Sequence, residues 1–207
     1  MGERKIDILD AACRVIARRG VRGLRVEEIA REAGVSVALI YYHYQGREEL
    51  LRRVLEYAHE RTRAYNLPGI PPGADIPPRQ QVEAMLLGEI QDDPAVIENS
   101  AVWGEVTASA IFDPGLRDAV RAGNDRWADA VERLIRRGQA DGSIPPAVDP
   151  RAAAVRLTAV VDGLSTRWLA GLLPTAEAHA LVRGALAAEL GPPPAGGPTI
   201  GRETAGA

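Results

Sequence analysis

Aromatic side chains are scarce in this chain of 207 residues, which has one phenylalanine, three tryptophans and five tyrosines. Threonine is sparse too. Few residues that suit a pleated surface remain, while Ala, Leu, Val, Arg and Glu abound and Val recurs at helical spacing, which predicts an all-α fold. The single cysteine, Cys13, excludes an intramolecular disulfide and points weakly to a reducing compartment. Taken alone, it reads as a small apolar helix residue. No apolar run approaches the roughly 18 residues that a bilayer-crossing helix needs. Met1 to Ile8 is charged, and no apolar segment of the signal-peptide kind follows it. The expectation is a soluble, cytoplasmic protein with no membrane partner.

What is present is unevenly placed. Residues 1–63 carry 13 basic and 10 acidic side chains, against 12 and 18 in the remainder. One end of the chain therefore suits a polyanion better than the other. The aromatic distribution is sharper. Three of the five tyrosines are Tyr41, Tyr42 and Tyr44, with His43 between them.

Start and stop signals divide the chain into about nine helices. "RKIDILDAACRVIARRG" repeats apolar residues at helical spacing and ends on Arg18, Arg19 and Gly20, which suit a helix C-terminus. "VEEIAREAG" places Glu27 and Glu28 in a first turn and closes on Gly34. Ser36 can cap a third helix, "VALIYYHY", and a fourth runs from Gly46 to Tyr65. "NLPGIPPGADIPP" is a Pro/Gly linker. Five further helices follow at about 77–91, 94–111, 114–139, 150–171 and 175–190, with Asp93-Pro94, Asp113-Pro114 and Asp149-Pro150 as capped starts. The expected organisation is an N-terminal helical domain at 1–47, a connecting helix at 48–65, a linker at 66–76, a larger helical domain at 77–190 and a disordered tail at 191–207.

Two short helices joined by a tight turn at a glycine describe a helix-turn-helix. Ile29, Ala30 and Ala33 supply an inner face for the first helix, and Val35 and Ile40 seal the turn and the second helix. In such a unit the second helix enters the major groove and its N-terminal residues meet base edges. The positions left facing outward are Ser36, Val37, Ala38, Leu39, Tyr41 and Tyr42. A packed aromatic cluster is the alternative for the tyrosines. On so short a helix the phenols cannot all face inward, so at least one hydroxyl must reach the surface.

Residues 5–55 closely resemble the N-terminal domain of TetR-family (tetracycline-repressor-like) transcriptional regulators. The resemblance rests on "LDAACRVIARRG…VEEIAREAGVSVALIYYHYQGREELL". It implies that Ser36, Val37, Ala38, Leu39 and Tyr42 face bases, that Tyr41 and His43 donate to phosphates, and that Arg47 anchors the backbone at the start of helix four. It also implies that Tyr44 is core. The chain departs from the family in having Arg25 where Thr or Ser often caps helix two, which loses a side-chain cap and offers a phosphate contact. Val37, Ala38 and Leu39 cannot hydrogen-bond, which implies apolar contact with thymine methyls rather than bidentate reading.

The later part resembles, more loosely, the C-terminal domain of the choline-responsive (BetI-like) branch, on "VWGEVTASAIFDPGLRDAV…RWADAVERLIRRGQADGSI" and "AVRLTAVVDGLSTRWLAGL". Trp103, Trp127 and Trp168 each lie on the apolar stripe of a different helix. Each taken alone reads as core, and together they are candidates to line a ligand pocket. Candidate walls are Met85, Leu86, Trp103, Phe112, Trp127 and Trp168, with Glu98, Glu105, Thr107 and Asp162 as polar partners. A Trp/Glu pocket could hold a cation. The last two helices are apolar on more than one face, and the resemblance implies a four-helix homodimer interface. Its candidates are Leu157, Val161, Leu164, Leu181, Ala185 and Leu186.

The reading is a ligand-responsive DNA-binding regulator of repressor type. It would act as a homodimer on a near-palindromic operator and be released by a small-molecule inducer as helix four repositions the reading heads. An interaction protein that uses the same helices only for protein contacts is the alternative. A helical enzyme is more remote, since no Cys/His pair, Glu-x-x-His or Gly-rich phosphate loop is present. His59 and His179 stand alone, so neither a metal nor a cofactor is expected.

Overall fold

A computed structural model describes residues 3–62 and 76–192. The expected linker lies almost wholly outside the described residues, and so does the tail beyond Pro192. Among the described residues there are nine α-helices and no strand: α1 Glu3–Arg19, α2 Val26–Ala33, α3 Val37–His43, α4 Arg47–Thr62, α5 Pro78–Leu87, α6 Pro94–Ser109, α7 Arg117–Ala140, α8 Pro150–Leu169 and α9 Thr175–Leu190.

The helix ends follow local chemistry. Asp93 accepts from the Ala95 and Val96 N–H groups at 2.7 and 3.4 Å. Asp149 accepts from Ala152 N–H at 3.1 Å. Asp113 accepts from Gly115 N–H at 3.1 Å, but the element it opens is a single 3₁₀ turn, Pro114–Leu116. The expected start of α7 at 114 is therefore displaced to Arg117. A Cβ at Gly115 would overlap the Glu48 carboxylate, which would have to swing aside for any larger residue. The expected extension of α5 to residue 91 also fails. The Gln91 amide donates to the Gly88 carbonyl at 2.7 Å and closes the chain into a turn. Asp93→Ala should cost about 1 kcal/mol and lower the melting temperature by roughly 2–4 °C, which calorimetry will read. No change would mean that α6 is held by packing alone.

The backbone divides into two compact units, Met1–Ala64 with Asp93–Asn124, and Tyr65–Asp92 with Asp125–Ala207. In this division α6 falls with the first four helices. Val102 and Val106 of α6, with Ala110, Leu116 and Val120 beyond it, share one apolar core with Ile8, Leu9, Ile16, Ile29, Ile40, Leu51 and Leu55. In the second unit α8 packs along α9, and α5 packs on both. Leu86, Leu87, Ile90, Leu157, Val161, Val182 and Leu186 are buried there. No described helix is long and apolar enough to cross a membrane.

Candidate nucleic-acid interface and ligand-site residues

Gly34 builds the turn between α2 and α3. Its φ of 64° lies in the left-handed region, which glycine enters without steric cost. Val35 N–H then reaches back to the Ala30 carbonyl at 2.9 Å. α2 starts without a side-chain cap at Arg25, and Glu27 and Glu28 occupy its first turn. Two arginines of α1 fix it from the side: Arg14 and Arg18 donate to opposite oxygens of Glu32 and hold that carboxyl below its ordinary range. α3 is capped by Ser36, whose Oγ accepts from Leu39 N–H at 3.2 Å.

On a helix of seven residues, Val37, Ile40 and the following Tyr44 share one face. Ile40 and Tyr44 are buried, and Val37 is half-buried against the same core. Val37, expected to face bases, therefore gives part of its surface to packing and keeps part exposed. Leu39 is half-buried as well. Ser36, Ala38, Tyr41 and Tyr42 are exposed, Tyr42 at 81%. The rings of Tyr42 and His43 meet edge-on at 5.1 Å, and those of His43 and Tyr44 at 6.3 Å. The Tyr44 hydroxyl donates to the Lys5 carbonyl at 3.2 Å, and burial pushes its pKa up.

Arg47 begins α4 and turns inward. It donates to the Val21 carbonyl at 2.8 Å and lies 3.9 Å from Asp113. The Val21 N–H donates to Glu105 of α6 at 3.1 Å. The peptide groups at Val21 are thus gripped from both sides, beside Gly20, where a Cβ would come within 2.6 Å of Glu105. Sequence reasoning placed Glu105 at a ligand and Arg47 on DNA. The tie between them through Val21 has no local signal, since Val21 and Glu105 are 84 positions apart.

The ten ligand-site candidates are divided between the two units. In the first, Glu98 pairs with Arg61 at 2.8 Å, and Arg61 stands 4.0 Å from Asp10. Asp10 accepts from the Tyr57 hydroxyl at 2.7 Å; burial, then this bond, pushes the Tyr57 phenol up. Cys13, fully buried beside this group, is pushed up to about 12, chiefly by burial. Trp103 closes against Gly123, leaving no room for a Cβ there. Thr107 Oγ1 is buried with no hydrogen-bond partner among the described residues. Phe112, expected as a pocket wall, is 71% exposed with the Arg22 guanidinium 4.7 Å from its ring centre. The Asp113 turn carries it to the surface.

In the second unit Leu86 is wholly buried, and Met85 and Asp162 are half-buried. Trp168 Nε1 donates to Thr175 Oγ1 at 2.9 Å, which is the tie of a structural tryptophan. Trp127 Nε1 is buried with no hydrogen-bond partner among the described residues. Sequence reasoning missed Glu89. The residue as a whole is half-buried, but its carboxyl end is withdrawn from solvent; this, and then the nearby Asp162, push the carboxyl up to about 7. The available signal was a lone acid inside the apolar run "AMLLGEI".

The dimer candidates need correction. Leu157, Val161, Leu164 and Leu186 are buried inside the single chain and have little surface left for a second. Of the six, Leu181 is exposed and Ala185 half-buried. Both α8 and α9 are apolar on two faces, and the sequence pattern alone did not say which face turned outward.

A three-helix head with a capped, outward-facing second helix of a helix-turn-helix, joined to a further set of helices, defines a DNA-binding regulator. Family comparison agrees. Residues 8–54 match the model described as bacterial regulatory proteins, tetR family, and residues 78–191 match the BetI-type transcriptional repressor, C-terminal model. The chain belongs to the TetR family of transcriptional regulators. A crystal structure assigned to that family, from Rhodococcus sp., is 42% identical, covers 92% of this chain and 100% of its own, and superposes with a TM-score of 0.85. A Saccharomonospora viridis regulator crystallised with choline is 25% identical, with coverage of 92% and 98% and a TM-score of 0.74. Among characterised relatives, the Bacillus subtilis regulator PksA is 28% identical over 79% of this chain and 77% of its own.

Proposed function

We propose that this chain is a cytoplasmic, homodimeric repressor that reads a near-palindromic operator through α3 and is released by a small-molecule inducer. The observation that carries the reading is α3 itself. Its inner residues Ile40 and Tyr44 are buried, and its outer residues Ala38, Tyr41 and Tyr42 are left to solvent. Fluorescence anisotropy with the DNA flanking its own gene tests it. Tight, salt-sensitive binding that exceeds binding to random DNA supports the reading; equal affinity for both sinks it.

A two-fold dimer would place two copies of α3 about 34–36 Å apart or a multiple of that. The surface for it is the exposed part of α8 and α9, where Val155, Val160 and Leu181 are left to solvent. Small residues Ala159 and Gly184 share that exposure and permit close helix approach.

For the inducer, an organic cation is the class to test first. Glu89 and Asp162 are close enough for Asp162 to raise the Glu89 carboxyl. Trp127 lies in the same unit and offers a ring and an unpartnered N–H. The Saccharomonospora viridis neighbour holds choline, a quaternary ammonium ion. Tryptophan fluorescence titrated with choline checks this, and binding should strengthen as pH rises through about 7, where Glu89 ionises. No response to choline at any pH would exclude choline.

The same carboxyl sets a stability trend. Its ordinary value is 4.5 and its folded value about 7, so between them the folded chain keeps a proton that the unfolded chain releases. That contribution is full below the unfolded value and is lost as pH rises through about 7. Glu89→Gln should therefore flatten the fall in melting temperature across that window. An unchanged pH dependence would show that Glu89 titrates normally.

A further inference from the structure

We infer that Lys5 holds a DNA phosphate beside the reading helix and that the Tyr44 hydroxyl positions it. This rests on the DNA-binding reading above and extends the contact surface to α1. Tyr44 closes α3 and is only 4% exposed. Its hydroxyl reaches 39 residues back along the chain and donates to the Lys5 carbonyl at 3.2 Å. The bond fixes the first turn of α1 against the end of α3. The edge-on rings of Tyr42, His43 and Tyr44 run from the exposed Tyr42 to the buried Tyr44.

The charges on this turn differ. Arg4 lies 3.9 Å from Asp7, whereas no acid whose side chain is described is within ion-pair distance of Lys5. Lys5 is exposed. A lysine tied by its own backbone to the end of a reading helix presents an ammonium where the DNA backbone passes, and such a contact strengthens binding to every sequence alike. Tyr44 is then a positioning residue and not itself a DNA contact.

The test uses the full chain and two duplexes, the gene-flanking DNA and a random sequence of equal length, titrated at salt concentrations from roughly 50 to 200 mM. Lys5→Ala should weaken both several-fold and reduce the magnitude of the salt slope by about 0.9 for each phosphate no longer neutralised. Lys5→Arg should recover both quantities. Tyr44→Phe keeps the ring and removes the bond, so it should reproduce part of the weakening and add nothing to Lys5→Ala. An unchanged slope in Lys5→Ala, or a weakening confined to the gene-flanking duplex, overturns the phosphate contact. A Tyr44→Phe effect that adds fully to that of Lys5→Ala overturns the positioning role. Absence of DNA binding by the unaltered chain defeats the regulator reading itself, an outcome distinct from either.

Discussion

Tyr42→Ala is expected to weaken gene-flanking DNA by about 10- to 100-fold per reading head, since a base-edge contact contributes roughly 1–3 kcal/mol. Binding to random DNA should change far less. Tyr42 is 81% exposed, so its truncation opens no cavity in the core and the melting temperature should hold. Beside it, Ala38 is exposed while Val37 and Leu39 are half-buried. Tyr42 therefore supplies most of the outward surface at the end of α3, and its phenol is the polar tip among apolar neighbours. An equal weakening on both duplexes would reassign Tyr42 to the phosphate backbone. Anisotropy with both duplexes at one salt concentration separates the two outcomes.

Arg47→Ala should weaken gene-flanking and random DNA alike, by about tenfold, and also lower stability by roughly 1 kcal/mol by removing a hydrogen bond. Two functions meet at this side chain. It is 41% exposed, so it can still reach a phosphate, and it also donates to the Val21 carbonyl at 2.8 Å. Glu105 takes the Val21 N–H from the other side at 3.1 Å. Releasing the carbonyl frees the α1–α2 turn from the start of α4. Lysine keeps the charge but lacks the planar fork that serves both Val21 and Asp113. Arg47→Lys should therefore restore the salt slope and only part of the affinity. Glu105→Gln, which keeps the acceptor and removes the charge, should leave a smaller deficit with the slope unchanged. Full recovery by lysine would make Arg47 a phosphate contact alone.

These expectations mix what was legible in the sequence with what was not. The Asp-Pro starts at 93 and 149 were legible, because a cap and the ring that follows it act within three residues, whereas the same pair at 113 opens only a 3₁₀ turn ahead of α7. Gly34 was legible for the same reason, and so was the inward turn of Tyr44, fixed by its spacing from Ile40. α8 and α9 were not. Leu157 and Val160 are three apart and equally apolar, yet one is buried and the other exposed. Only the packing of α5 and α9 decides between them. The long-range ties were hidden too. Glu98 with Arg61 and Glu105 with Val21 join α6 to the head, and no pattern within either helix announces them. They move α6 from the sequence-defined C-terminal half into the compact unit of the reading head. Glu89 was missed because an acid at a helix end ordinarily faces water.

Footprinting of the purified chain on the DNA flanking its own gene tests the central claim most directly. The account predicts one salt-sensitive protected segment with two-fold symmetry, its half-sites one helical turn or a whole multiple apart, and its disappearance in Tyr42→Ala. Protection without sequence preference, or none at any salt concentration, would contradict it.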